Sequence, residues 1–459
     1  MLGDMGRLYW VLLALAACGD DSNRKIADAP PGGQHDAPGQ MDAPPVNTPV
    51  TVLVKDDAGP TQGAHVYFQA NDSTVISSTT TDTGGTASAV MPMGGFVTVV
   101  PSPQNGKGSL FYHLSTWAGV KPGDHLILDD SGGTEVPPTN VTVVLPPDPN
   151  HTVGQYQVST TCGVGYISVG TGSAVVATTT GTVSVYCATA DVLVVALDID
   201  GQAVSSFYVA AQAFVEGDTI DYSLKTFTNS ATRNYQFTNN TDTADIPVTD
   251  VLTSTRGTIY APQGMTLSGN PAVSSAVFPA VPTGALDLIT ADQYAGMTER
   301  VFLEWGTTGD YTQDWAAHLL PDFTADLPTF DTGTHALAWT TTGGALVPDL
   351  VGTQTYGSGN STYWNWDMFG PGGTSLAFPA LPTDLADFNY THDPGINAIV
   401  TAKVPGGYDS IRATVFAGPH PSGATGTISV NRYIPMSTLA ATRQAPKKRD
   451  VMRRWIRHR

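Results

Sequence analysis

Two tryptophans spaced two residues apart are the sharpest chemical signal in this sequence. In Tyr363-Trp364-Asn365-Trp366-Asp367-Met368-Phe369 an extended chain sends Trp364, Trp366 and Met368 to one face and Tyr363, Asn365 and Asp367 to the other. With the tryptophan face exposed, two indoles roughly 7 Å apart, flanked by amide and carboxylate groups, would stack against a sugar chain. Turned inward, the same rings are simply core. Tyr363, Trp364, Asn365, Trp366 and Asp367 are therefore the candidate ligand-binding residues.

Groups that could carry catalysis fall into no recognisable pattern. The sequence has no His-Glu-x-x-His, Gly-x-Ser-x-Gly, Walker or Cys-x-x-Cys spacing. Its ten histidines are scattered singly, so His113 with His125, or His318 with His335, would meet only through folding. Asp310, Asp314 and Asp322 lie near Trp305, Tyr311 and Trp315 and come nearest to the paired acids of a glycoside hydrolase. The plainer reading is that these rings fill a core and the acids solvate its loops. Asp198-Ile199-Asp200-Gly201 opens like a calcium loop, but Ala203 and Val209 stand where such a loop needs Gly and Glu, so a hairpin turn is expected. No catalytic residue, metal ligand or cofactor is assigned.

Cys18 carries a different chemistry. The uncharged stretch from Leu8 to Ala17, behind Arg7, suits the apolar segment of an export signal and is too short to span a bilayer. Leu15-Ala16-Ala17-Cys18 resembles the lipobox of bacterial lipoproteins. The resemblance implies cleavage before Cys18, a diacylglycerol on its sulfur and acylation of its new amino group. Each buried methylene contributes about 0.8 kcal/mol, so two or three chains anchor a protein durably. An ordinary signal peptide cut elsewhere is the alternative. Gly19 stands where an aspartate would resemble an inner-membrane retention signal, which favours the outer membrane. If Cys18 carries lipid, Cys162 and Cys187 are the pair that remains of three cysteines, and an oxidising compartment would join them as a disulfide. Zinc would need further ligands nearby, and none are there.

The elements that must position these residues are strands. Charged residues make up only 13% of the 459, while Gly (48) and Pro (33) are abundant and Thr, Ser and Val crowd the middle, a composition of short strands and turns. The chain is too long for one core. Residues 19–47 repeat Asp-Ala-Pro three times with almost nothing apolar to bury, as a disordered tether would. From Pro49 the pattern alternates: Val50, Val52 and Val54 on one face, a turn at Asp56-Asp57-Ala58-Gly59, then Ala64, Val66 and Phe68, a second turn at Thr81-Asp82-Thr83-Gly84-Gly85, and Phe96 to Val100. These motifs resemble the carboxypeptidase regulatory-like, or transthyretin-like, β-sandwich. The resemblance implies a seven-stranded non-catalytic module, and from the residues themselves the sandwich is expected to continue to a strand at Val141 to Leu145. Farther on, Phe278-Pro279-Ala280-Val281-Pro282-Thr283 recurs as Phe378-Pro379-Ala380-Leu381-Pro382-Thr383, which suggests duplication.

The expected organisation is a signal peptide at 1–17, a linker at 18–48, a sandwich at 49–146, a β-rich module at 147–224 holding Cys162 and Cys187, repeat copies at 225–327 and 328–435, and a tail at 436–459. The net charge of -19 is uneven: eight basic residues between Arg443 and Arg459 stand against Asp450, so the tail carries +7 and the rest of the chain −26. A body that acidic repels nucleic acid. In the tail, Val451, Met452, Trp455 and Ile456 share one helical face among arginines, a pattern that docks on anionic surfaces or, alternatively, folds back on the acidic body. The expectation is an all-β protein of tandem Ig-like or transthyretin-like sandwiches, lipid-anchored at the outer membrane or cell surface. It would act without enzymatic activity as a scaffold or adhesion module toward a glycan or an envelope protein. The alternative is a polysaccharide-binding or polysaccharide-degrading protein that uses Trp364 and Trp366.

Overall fold

The structure, a computed structural model, describes residues 48–433 apart from 57–58, 102–103, 107–108, 130–136, 241–244, 255–256, 261–264, 281–284, 307–308, 360–361, 384, 386–394 and 417–425. The lipobox with Cys18, the tether and the basic tail lie outside the described residues.

The molecule is all-β, with one short α-helix, Gly407–Ile411, among the described residues. Its spine is a continuous sheet in which Val75–Thr80 is followed by His65–Gln69, Gly95–Val100 and Ser109–Val120. Ser109–Val120 then pairs in parallel with Thr362–Pro371. Beyond that joint come Leu350–Gly359, Gly395–Lys403, Gly426–Tyr433, Thr298–Trp305, Ala285–Ala295 and Ile246–Ser254, each antiparallel to the last. Alternating apolar residues make both faces of this sheet burying surfaces.

One face is covered by a small sheet in which Val50–Asp56 pairs with Thr86–Ala89 and, in parallel, with His125–Asp129. Val50, Val52 and Val54 meet Val97, Val99, Trp117, Phe369, Val400 and Val430 there, and Phe416 closes the end with its ring edge-on to Trp117. The opposite face is covered in two places. Phe330, Leu337, Trp339, Leu376 and Phe378 lie over Leu114, Trp364, Trp366 and Ile399. Ala231–Thr238, paired with Ala272–Phe278 and Tyr311–Asp314, lies over Ile246, Val248, Ile289 and Phe302.

The second module is a separate sandwich. Thr139–Leu145 pairs with Thr179–Val185 and Thr219–Asp221, and faces a sheet of Gly163–Val175, Asp148–Thr160, Thr189–Leu197, Ala203–Ala213 and Thr228–Asn229. Cys162 and Cys187 are joined, as their pairing required. Asp198-Ile199-Asp200-Gly201 is the hairpin turn: the Asp198 carboxylate accepts from the backbone N–H groups of Asp200 and Gln202, and Gly201 supplies the positive φ of 79°.

The domain limits differ from those expected. Thr139–Leu145 opens the second module instead of closing the first, because its inward Val141, Val143 and Leu145 pack with Tyr156 and Val183. The two repeat copies do not form separate domains. Gly426–Tyr433 pairs with Thr298–Trp305 across the boundary expected at 327, and the two Phe-Pro segments occupy unlike places. Phe278 ends a strand and packs on Leu193 of the second module, whereas Phe378 sits against Phe330 and Trp366.

Candidate functional site

The tryptophan pair is core and offers no stacking platform. Trp364 and Trp366 are 4% and 1% exposed. The Trp366 indole N–H donates to Thr116 Oγ1 at 2.8 Å, and its ring meets Phe378 edge-on at 5.1 Å. The neighbouring strand makes room for these rings with glycine: Gly357 lies opposite Trp364, and a Cβ there would come within 2.1 Å of the indole. Gly352 stands in the same relation to Phe369, with a Cβ at 2.3 Å. Asn365 and Asp367 face the other way and are buried as well. Asp367 Oδ2 bonds His113 Nε2 at 2.8 Å across the parallel joint. The side chain of Tyr363 is not among those described.

The acids near the second aromatic group are each engaged in holding the fold. Asp310 accepts from the backbone and side chain of Asn234, both at 3.0 Å, and these bonds hold its carboxyl below the usual carboxylate range. Asp314 caps the short 3-10 turn Trp315–His318. Asp322 takes a bidentate pair from Arg300, at 2.9 and 2.5 Å. Trp315 is buried and donates to Gln293 Oε1 at 3.0 Å. Burial lowers the pKa of His318, whose ring bonds Gln313 at 3.1 Å, and His113 bonds Asp367.

Folding also gathers Ser205, Asp148 and His151 inside the second module. Ser205 Oγ donates to Asp148 Oδ2 at 2.5 Å, and His151 Nδ1 lies 2.9 Å from Oδ1. The carboxylate stands between serine and imidazole and takes the hydroxyl's hydrogen bond itself, so the imidazole is not in line to activate the hydroxyl. This set anchors the start of strand Asp148–Thr160.

One constellation has both perturbed groups and access to solvent. On the hairpin of Ala285–Ala295 and Thr298–Trp305, turned at Gly296, Tyr294 lies opposite Glu299, and Glu299 lies opposite Arg432 on Gly426–Tyr433. Tyr294 OH donates to Glu299 Oε1 at 2.8 Å and Arg432 Nη1 to Oε2 at 3.2 Å, so the buried Glu299 carboxylate has both oxygens satisfied. Asp292 sits diagonally across from Glu299, half-buried. Burial first, and the charge of Glu299 second, push Asp292 up to about 8. The same two causes raise the Tyr294 phenol, although the ring is 52% exposed. Asp292 is therefore a carboxyl kept neutral by its surroundings that a cation would ionise, next to an accessible aromatic ring. Sequence reasoning passed over this set; the signal available was Asp292-x-Tyr294 and Glu299 on either side of a glycine turn, which places all three on one face.

Among the described residues, no three His, Cys, Asp or Glu side chains gather to hold a metal ion, and no helix is long and apolar enough to cross a membrane. No family model matches the chain, and no curated protein matches it either. Among solved structures it is similar to the Bacillus anthracis TIE protein, at 9% identity and a TM-score of 0.15, over 59% of this chain and 50% of that one. The chain thus spans half the length of that protein.

Proposed function

We propose that the protein is an exported, lipid-anchored envelope protein that serves as a rigid, non-enzymatic scaffold for adhesion or binding. The observation that carries this reading is the parallel joint between Ser109–Val120 and Thr362–Pro371, which makes one sheet of segments far apart in sequence. The buried Tyr408 hydroxyl reaches the carbonyls of Ala118 and Phe369 on the two joined strands, and Arg412 ties the same helix to the turn at Asp124. A body joined this way holds its loops in fixed relation, which suits display. The Cys162–Cys187 bond suits an oxidising compartment, in keeping with the export signal that ends at Cys18. With Trp364 and Trp366 in the core, the polysaccharide reading has lost the platform that motivated it.

Expression in a Gram-negative host tests the anchor. The wild type should fractionate with membranes and carry acyl chains on Cys18, and Cys18→Ser should be soluble. A mature start elsewhere, or an unmodified Cys18, refutes it. Cleavage of a glycan or peptide library at a rate abolished by one acid substitution would overturn the scaffold reading.

A further inference from the structure

The described body has almost no basic charge to spare. Every described lysine and arginine except Lys225 is already paired with an acid, from Lys55 on Asp129 to Arg432 on Glu299. Yet the chain outside the basic tail carries −26 and the tail +7. The largest concentration of cations in the sequence is the tail itself.

The path of the chain brings that charge to one place. Gly426–Tyr433 is the last described strand, and its Arg432 sits in the row with Glu299 and Tyr294. Asp292 lies two strands over, roughly 10 Å away. Arg443 follows Tyr433 by ten residues, a reach of about 33 Å when extended. At this face Asp292 makes no hydrogen bond or ion pair with a described residue, and Tyr294 leaves half its ring open. Carboxyl and ring together suit a guanidinium, which bonds the one and stacks on the other.

We propose that the basic segment 443–459 docks on its own body, on the sheet face that carries Asp292 and Tyr294. Attraction between +7 and −26 favours the contact, and the short connection gives it a high effective concentration. A cation seated there favours the ionised form of Asp292 and so offsets what burial does to it. The same tail has the pattern of a helix that binds anionic lipid, and the experiment separates the two destinations.

The full chain with Cys18→Ser is treated, without lipid and at low salt, with a carbodiimide that joins amines to carboxylates in contact; docking does not depend on the anchor. Peptide mapping should find Lys447 or Lys448 joined to Asp292. The yield should fall at least about tenfold near 1 M salt, where the screening length is about 3 Å, and the link should vanish in Asp292→Asn while that variant still unfolds cooperatively. Overturning results are no link at low salt, links only to carboxylates elsewhere, or loss of the link when the reaction is run with phosphatidylglycerol vesicles present, the tail then choosing the lipid.

Discussion

The first and second modules are both sandwiches of Val- and Thr-rich strands, yet they close in opposite ways. Between Thr139 and Asn229, the paired strands of the second module pair with one another. Its core is drawn from the same stretch, and one disulfide ties Cys162 to Cys187. The first module has the turns and alternating valines of a complete sandwich, but the core beneath Val50, Val52 and Val54 is finished by Leu350, Phe369, Val400, Phe416 and Val430. One module draws its inner core from its own stretch, although Leu193, Val195 and Leu197 on its outer face pack against Leu252, Ile259 and Phe278; the other is half of a structure whose remainder arrives late in the chain. The difference teaches that local turn chemistry identifies a module without saying whether it closes alone, and that late closure costs the chain more entropy before contacts compensate it.

The largest effect should come from breaking the late closure. The buried Arg412 guanidinium gives Asp124 two bonds, at 2.7 and 2.9 Å, bonds Asp409 as well, and lies 5.6 Å from the centre of the Tyr408 ring. Arg412→Ala should destabilise the shared body by about 3 kcal/mol, since it leaves Asp124 without its counter-charge. The sequence offers a readout: six of the eight tryptophans (Trp117, Trp305, Trp315, Trp339, Trp364 and Trp366) lie in the shared body and none lies between residues 139 and 229, so the cooperative change in their fluorescence follows the shared body and not the second module. The tryptophan transition in denaturant should shift, while hydrogen exchange in Asp148–Thr160 and Thr189–Leu197 stays as it was. Equal shifts in both would mean that the modules are not distinct.

The reciprocal experiment removes the disulfide. The bond spans a sequence separation of 25 residues. Cys162→Ala with Cys187→Ala should cost the second module about 3 kcal/mol in the chain-entropy model. Exchange in its strands should speed up while the tryptophan transition stays in place. A tryptophan shift as large as the exchange effect would erase the contrast between a self-contained module and a shared one.

The same contrast explains what was legible in advance. The hairpin at Asp200-Gly201 and the second turn at Asp82 rest on short-range chemistry visible in a few adjacent residues, while the all-β class came from composition and alternation and the Cys162–Cys187 pair from the count of three cysteines. At the second turn, for example, the Asp82 carboxylate accepts from the Gly84 and Thr86 N–H groups. The parallel joint was not legible, because nothing within Ser109–Val120 names Thr362–Pro371 as its neighbour. For the tryptophan strip the deciding signal lay one strand away. Gly352 and Gly357 interrupt a strand pattern at the residues opposite Phe369 and Trp364, and glycine inside a strand marks where a large ring needs the space. The Asp292 set was invisible for a related reason: its third strand, carrying Arg432, joins from more than a hundred residues on.

A smaller effect should appear with pH, and it belongs to the shared body alone. Asp292 is pushed up from 3.8 to about 8 in the folded protein, so between those values the native state binds a proton that the unfolded chain has released. Stability from this group is fully present below about pH 4 and is lost as pH rises through about 8. Exposed carboxylates such as Asp310 and Asp331, held low by their hydrogen bonds, act in the opposite direction and lose their contribution in acid. Asp292→Asn isolates the one from the others, because the amide keeps the shape and cannot ionise. Between pH 5 and pH 9, at about 1 M salt where the tail is screened from the site, the variant should gain roughly 1–2 kcal/mol on the wild type, allowing for the partial exposure of the carboxyl. The tryptophan transition should report the whole gain, and the second module none of it. A wild type whose tryptophan transition tracks that of Asp292→Asn across this range at low salt would mean that Asp292 is already ionised at neutral pH, as a cation seated beside it would require.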